Sequence, residues 1–206
     1  MARPSYRRIQ PDVRRRELIE AAMRCLADKG AAGCSVRAIC NEAGVSPGLL
    51  THYFTGVDDL MAATYREVGE RVAVTLAEAV EAAGEGARDR LRAYVVASFR
   101  PPVMDPVLLA TWVAFWSLSR GDAGLRVVHQ EIYALYRGDL EPLIRACLPT
   151  DARDADVRLM GVGLTALVDG LWLELCLDGG AFTAEEAGRV AERWLDDLLA
   201  RPLVSD

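Results

Sequence analysis

Histidine is nearly missing: His52 and His129 are the only two in 206 residues. No Ser-His-Asp order, glycine-rich phosphate loop or metal-ligand spacing accompanies them. An enzyme working from a pocket in the C-terminal part is therefore a disfavoured alternative, and no cofactor or metal is expected. The five cysteines (25, 34, 40, 147 and 176) are odd in number and lack CxxC spacing. That speaks against a zinc site or a disulfide frame, and they read as reduced thiols packed like small hydrophobes. No apolar run reaches the roughly 18 residues of a membrane span. The opening Met-Ala-Arg-Pro-Ser-Tyr-Arg-Arg has no apolar stretch of the kind a secretory signal carries. A cytoplasmic protein without a membrane partner is the expectation. Period-two alternation of useful length is absent too, which removes sheet from the fold.

What the chain does have is apolar content, 51%, arranged at helical spacing, and an uneven charge. The total is −6, yet residues 1–55 hold nine basic and five acidic side chains, a surplus of four, leaving −10 for the rest. Such asymmetry concentrates a positive field at one end while keeping the whole soluble. An N-terminal arm carrying Arg3, Arg7 and Arg8 is expected to order against phosphates.

The expected fold is all-α with about nine helices, near 11–29, 36–43, 47–53, 57–83, 87–99, 106–119, 122–147, 152–178 and 183–200. Gly30, Gly84-Glu-Gly86, Arg100-Pro-Pro-Val-Met-Asp-Pro106, Arg120-Gly-Asp122, Pro149-Thr-Asp151 and Asp178-Gly-Gly180 punctuate them. Thr183 followed by Glu186 fits a capping box for the last helix. Residues 1–55 read as an N-terminal helix-turn-helix DNA-binding domain. Residues 56–206 read as a helical domain for effector binding and dimerisation.

The stretch from Ser35 to Phe54 carries the DNA-binding reading. Val36, Ile39, Ala43, Val45, Leu50 and Phe54 are placed to lock two short helices together, with Gly44 at the corner where φ must be positive. Ser46 is expected to cap the second helix and Pro47 to occupy its first turn. With Leu50 and Phe54 facing inward, Pro47, Gly48, Thr51 and His52 face outward, and Tyr53 is placed for a phosphate. Gly48 would let backbone approach DNA, while Thr51 and His52 could meet base edges. Ser35, Arg37 and the Arg14-Arg15-Arg16 cluster would contact or neutralise backbone phosphate on either side. A head this small reads few base pairs, so two heads on a palindrome, about 34 Å apart, are expected. A non-specific architectural binder without an effector is the remaining alternative.

In the helix near 152–178, Val157, Met160, Leu164, Leu167, Leu171 and Leu175 form one apolar stripe, while Thr165, Asp169, Trp172 and Cys176 line another. An acid beside an indole there needs a partner: a ligand cation, an arginine such as Arg126 or Arg137, or a backbone N–H. Phe99, Trp112, Phe115, Trp116, Tyr133 and Tyr136 join Thr165, Asp169 and Trp172 as candidate effector-binding residues. Aromatic faces with a carboxylate suit a quaternary ammonium or polyamine. The last two helices are apolar enough to require a partner, and Gly161, Gly163 and Gly170 would permit its close approach.

Val45-Ser-Pro-Gly-Leu-Leu-Thr-His-Tyr-Phe54, followed by Asp58-Asp-Leu60, resembles the head of TetR-family transcriptional regulators. Trp112-Val-Ala-Phe-Trp116, Leu125-Arg-Val-Val-His129 and Leu167-Val-Asp-Gly-Leu-Trp-Leu-Glu174 are similar to the ligand-binding body of the BetI-like group. The resemblance implies a homodimeric repressor paired through its last two helices as a four-helix bundle. It also implies an effector such as choline, and release of DNA when the fourth helix shifts. Relatives usually open that helix with a phosphate-reaching lysine; here the position is Val57.

Overall fold

The computed structural model describes residues 11–200, so Arg3, Arg7 and Arg8 lie outside the described residues. Among the described residues there are nine helices and no strand: α1 (Pro11–Gly33), α2 (Val36–Ala43), α3 (Pro47–Tyr53), α4 (Val57–Ala82), α5 (Ala87–Ala97), α6 (Pro106–Gly121), α7 (Ala123–Ala146), α8 (Asp154–Leu177) and α9 (Ala184–Ala200).

Local chemistry sets most boundaries. Gly30, at φ 63°, breaks α1 where a stop was expected, and one further turn carries on to Gly33. Ser35 caps α2 by accepting from the Ala38 N–H, and Gly44 closes it in the left-handed region at φ 64°. Ser46 departs from expectation: it holds the extended N-cap conformation, but its side chain makes no capping bond. Its carbonyl alone starts α3, accepting from Leu49 and Leu50. Asp105 and Asp122 cap α6 and α7. Thr183 and Glu186 form the reciprocal capping box that starts α9.

Leu18, Ile19, Leu26, Ile39, Leu50 and Phe54 pack α1–α3 together, each at most 2% exposed. Burying one such side chain contributes about 1.5–3 kcal/mol. The same α1 also lies on α6 and α4. There the Thr111 hydroxyl donates to the Met23 carbonyl at 3.1 Å, with both residues buried, and Arg71 of α4 pairs with Glu20 and Glu67. The N-terminal helices are thus fastened to two helices that run into the interior of the rest.

By length and composition α8 is apolar enough to cross a membrane, with a mean hydropathy of 1.5 over 18 residues. Asp169 interrupts it, so no unbroken apolar run reaches that length, as the sequence implies. The helix is amphipathic in a different sense: Val157, Met160, Gly161, Leu164 and Trp172 are buried, while Leu159, Val162 and Leu177 are exposed. The glycines are also used differently from expected. A Cβ at Gly163 would meet the Trp194 ring of α9 at 2.9 Å, and one at Gly161 would meet Glu141 and Ile144 of α7. Only Gly170 of the three faces open space.

Candidate functional site

The face of α3 follows from its two buried anchors. Leu50 and Phe54 are four residues apart and turned inward, which leaves Pro47, Gly48, Thr51 and His52 exposed and Tyr53 half-buried. A Cβ at Gly48 would come no nearer than 4.0 Å to Ser46, so this edge of the helix is bare backbone. The Thr51 hydroxyl donates to the Gly48 carbonyl at 3.1 Å and keeps its lone pairs outward. His52 and Arg37 are exposed and have no hydrogen-bond or ion-pair partner among the described residues. Ser35 uses an oxygen lone pair for its cap and retains its O–H.

The arginine cluster does not act as one patch. Arg14 pairs with Glu17, and Arg16 donates to the Asp12 carbonyl. Arg15 lies over the Phe54 ring, its guanidinium carbon 5.0 Å from the centroid, and so stands beside the end of α3. Val57 is half-buried and packs on the core, so it supplies no phosphate contact. Behind it, Asp59 accepts from both the N–H and the hydroxyl of Thr55, holding the turn between α3 and α4.

A second site is internal. A cavity of about 40 Å³ is walled by Val72 and Leu76 of α4, Tyr94, Val95 and Ser98, Tyr136 and Leu140 of α7, and Leu164, Thr165, Val168, Asp169 and Trp172 of α8. Four of the expected effector residues, Tyr136, Thr165, Asp169 and Trp172, are therefore in its wall. Trp112 stands directly behind, stacked on Tyr136 at 5.8 Å and edge-on to Trp172 at 5.6 Å. Its indole Nε1 is the one buried side-chain polar atom without a partner among the described residues. Phe115 is stacked on Tyr65 instead, Trp116 donates to the Tyr133 hydroxyl, and Phe99 sits under α9 near Gly188. Cys176, placed on the same face by spacing, is exposed.

Asp169 finds neither Arg126 nor Arg137 as its partner. The Tyr133 hydroxyl donates to it at 2.9 Å, and Arg126 bonds the carbonyls of Ser119 and Arg120. Burial pushes the Asp169 carboxyl up to about 7, partly offset by that hydrogen bond. The same burial, with the Asp169 charge added, drives the Tyr133 and Tyr65 phenols well above their ordinary range.

Hydrogen bonds tie this chamber to α4. The Tyr136 hydroxyl donates to the Gly69 carbonyl at 2.9 Å, where the missing Cβ lets α4 lie close on Ile132. The Tyr65 hydroxyl and His129 Nδ1 share a bond of 2.8 Å, and the His129 ring lies 4.2 Å from that of Tyr133. Tyr65 escaped the sequence reading because an aromatic on a long helix looks like ordinary core until its partner 64 residues away is known.

Residues 87–200 match the family described as BetI-type transcriptional repressor, C-terminal, and residues 18–64 match bacterial regulatory proteins, tetR family. The HTH-type transcriptional regulator BetI of Burkholderia thailandensis is 35% identical over 190 residues, covering 92% of this chain and 95% of the relative. Its counterpart in Burkholderia ambifaria is 34% identical over the same length. A solved transcriptional regulator of Pseudomonas aeruginosa PAO1 superposes with a TM-score of 0.85 at 40% identity, covering 96% of this chain and 95% of that one. A regulator from Saccharomonospora viridis, solved in complex with choline, shares the fold with a TM-score of 0.78 at 20% identity, covering 91% and 97%. With an outward-facing α3 and a match along nearly its whole length, the chain belongs to the BetI-type branch of the TetR family of DNA-binding transcriptional regulators.

Proposed function

We propose that the protein is a homodimeric repressor that leaves a palindromic operator when a small organic cation, such as choline or another quaternary ammonium, occupies the chamber around Asp169. Residues 1–55 act as the DNA-reading head and the remainder as the effector-binding and dimerisation body. The observation that carries this reading is the pairing of an outward, unsatisfied α3 edge with an interior carboxylate set among aromatic rings. A carboxylate supplies charge pairing, and the faces of Trp172 and Tyr136 supply cation–π attraction. The relative that holds choline agrees in ligand class.

In the head, Thr51 and His52 meet base edges in the major groove, while Arg37, Arg15, Ser35 and Tyr53 hold phosphates. Arg15, braced on Phe54, stands near the place where relatives use a lysine. Dimerisation runs through the exposed stripe of α8, Leu159, Val162, Ala166, Gly170 and Leu177, with Val190 of α9 beside it. An apolar face of this kind needs cover in water. An effector that displaces Tyr136 breaks its bond to Gly69 and frees α4 to swing, changing the separation of the two heads. Only a difference in affinity for two head spacings, about 1–3 kcal/mol, is required.

The test is footprinting on the DNA upstream of the protein's own and neighbouring genes, with and without choline. Two protected half-sites about one helical turn (~34 Å) apart, lost on adding the cation, are expected. Equal affinity for random DNA would overturn the repressor reading. Indifference to every quaternary ammonium would overturn the ligand class.

A further inference from the structure

The internal cavity is far too small for an organic ligand: about 40 Å³, against roughly 300–1,000 Å³ for typical small-molecule pockets. A ligand must therefore enlarge it, and one side chain is placed to allow that. Tyr94 of α5 lines the cavity and also lines an open groove of about 620 Å³ between α4, α5 and α7. No other residue of the cavity wall lines that groove. Tyr94 is the side chain that the two spaces share.

This side chain is weakly fastened. The Tyr94 hydroxyl reaches the Tyr136 carbonyl at 3.4 Å, at the far end of hydrogen-bond range. No other hydrogen bond holds the phenol among the described residues. Turning the side chain outward would join the cavity to the groove and bare the Tyr136 and Trp172 rings.

The groove itself is suited to positive charge. Glu81 of α4 and Asp139 of α7 line it, with Arg90 as the only basic lining residue, and none of the three forms an ion pair among the described residues. Pro142 lies inside α7 and also lines the groove. Having no N–H, it leaves the Gly138 carbonyl, one turn earlier in the same groove, without its helical donor. Two carboxylates and a freed carbonyl therefore surround the mouth. Burial, with the negative charge of Asp139 added, pushes the Tyr94 phenol well above its ordinary range. On the other side of the cavity, Asp169 and Thr165, mostly but not wholly buried, lie on α8 next to the stripe that the proposed dimer would cover.

We propose that Tyr94 is the gate of the chamber, and that the groove bounded by Glu81, Asp139 and Gly138 is the entrance by which a small organic cation reaches it. The inference rests on the proposed effector site, and its test separates the two. In the full chain, acrylamide quenching of Trp172 fluorescence, taken as the difference from Trp172→Phe, needs no effector. Tyr94→Ala should raise that quenching several-fold, and Tyr94→Phe, which keeps the ring, should leave it near the wild-type level. Tyr94→Leu, which preserves apolar packing, covers the case in which the alanine variant fails to fold. Stopped-flow mixing with choline then tests the entrance. Tyr94→Ala should speed association and dissociation alike by about tenfold with little change in Kd. Glu81→Gln with Asp139→Asn should slow association only, an effect that fades at high salt. Unchanged Trp172 quenching in folded Tyr94→Ala and Tyr94→Leu would overturn the gate. Increased quenching without choline binding to any form would uphold the gate and instead remove choline from the ligand reading.

Discussion

The outer edge of α3 and the chamber between α4, α5, α7 and α8 are both polar features of an otherwise apolar chain, but they are organised differently. On α3 and the adjoining α2 the functional atoms are left over: Arg37 of α2 and His52 of α3 have no partner among the described residues, and the Gly48 backbone is open. In the chamber nearly every polar atom is committed, Asp169 to Tyr133, Tyr133 to Trp116, Tyr136 to Gly69 and Trp172 to the Ser98 carbonyl. A surface that binds a large rigid polyanion keeps its donors free in water, at small cost. A buried site cannot do so without losing about 1–3 kcal/mol per stranded group. A ligand entering the chamber must therefore replace bonds, and in the proposed reading that replacement transmits the signal.

The largest expected effect tests the α3 side. Thr51→Ala, His52→Ala and Arg37→Ala together remove contacts worth about 1–3 kcal/mol each and should weaken operator binding by about a thousandfold. Because all three side chains are exposed, the thermal midpoint should stay within a few degrees of wild type. A large fall in stability alongside would mean that α3 is a packing element first.

On the chamber side, Asp169→Asn removes the charge but keeps the shape. Choline affinity should fall by about ten- to a hundredfold, as expected for the loss of a charged partner. The pH profile sharpens the assignment. In the folded protein the carboxyl keeps its proton to about 7, whereas in the unfolded chain it loses it near its ordinary value of 3.8. This contribution to stability is complete below 3.8 and is lost as pH rises through about 7, so the wild type should lose stability across that window relative to Asp169→Asn. Choline binding to the wild type should strengthen over the same window, because the carboxylate form appears there. A variant titrating like the wild type in thermal melts would place the titration elsewhere.

Tyr136→Phe links the two regions. It leaves the ring in the cavity wall and deletes the hydroxyl that holds the Gly69 carbonyl of α4. Operator affinity without effector should change little, while the ratio of affinities with and without choline should fall about fivefold if that bond carries part of the coupling. An unaltered ratio, measured by fluorescence anisotropy on labelled operator DNA, would move the coupling to Tyr65 and His129.

The same contrast explains what the sequence could reveal. The α3 edge, the Gly44 corner, the Thr183 box and all nine helices depend on residues within one or two turns of one another, and spacing alone exposes them. The chamber depends on long separations. Tyr133 meets Asp169 across 36 residues, Tyr136 meets Gly69 across 67, and Trp172 meets Ser98 across 74. Periodicity marks Phe99 and Phe115 as buried but cannot say which neighbour they face: Phe115 stacks on Tyr65 and Phe99 lies near Gly188, and neither lines the cavity. The phenol partner of Asp169 was likewise invisible, since an arginine is the commoner guess for a buried carboxylate.

The smallest effect separates two serines that look alike in sequence, each preceding a short helix of the head. The Ser35 side chain accepts from the Ala38 N–H at 3.3 Å, whereas the Ser46 side chain accepts nothing from α3. Ser35→Ala should therefore cost about 1 kcal/mol in chemical denaturation, the usual value of an N-cap. Ser46→Ala should stay within about 0.5 kcal/mol, as for an exposed side chain without a role in packing. If Ser46 matters, it should do so only with DNA present, its free hydroxyl lying one residue before the start of α3, on the edge proposed to meet the duplex. Equal losses of stability for the two variants would mean that Ser46 caps α3 in solution. The start of α3 would then be a local cap like that of α2, and its outward hydroxyl would no longer be free for the duplex.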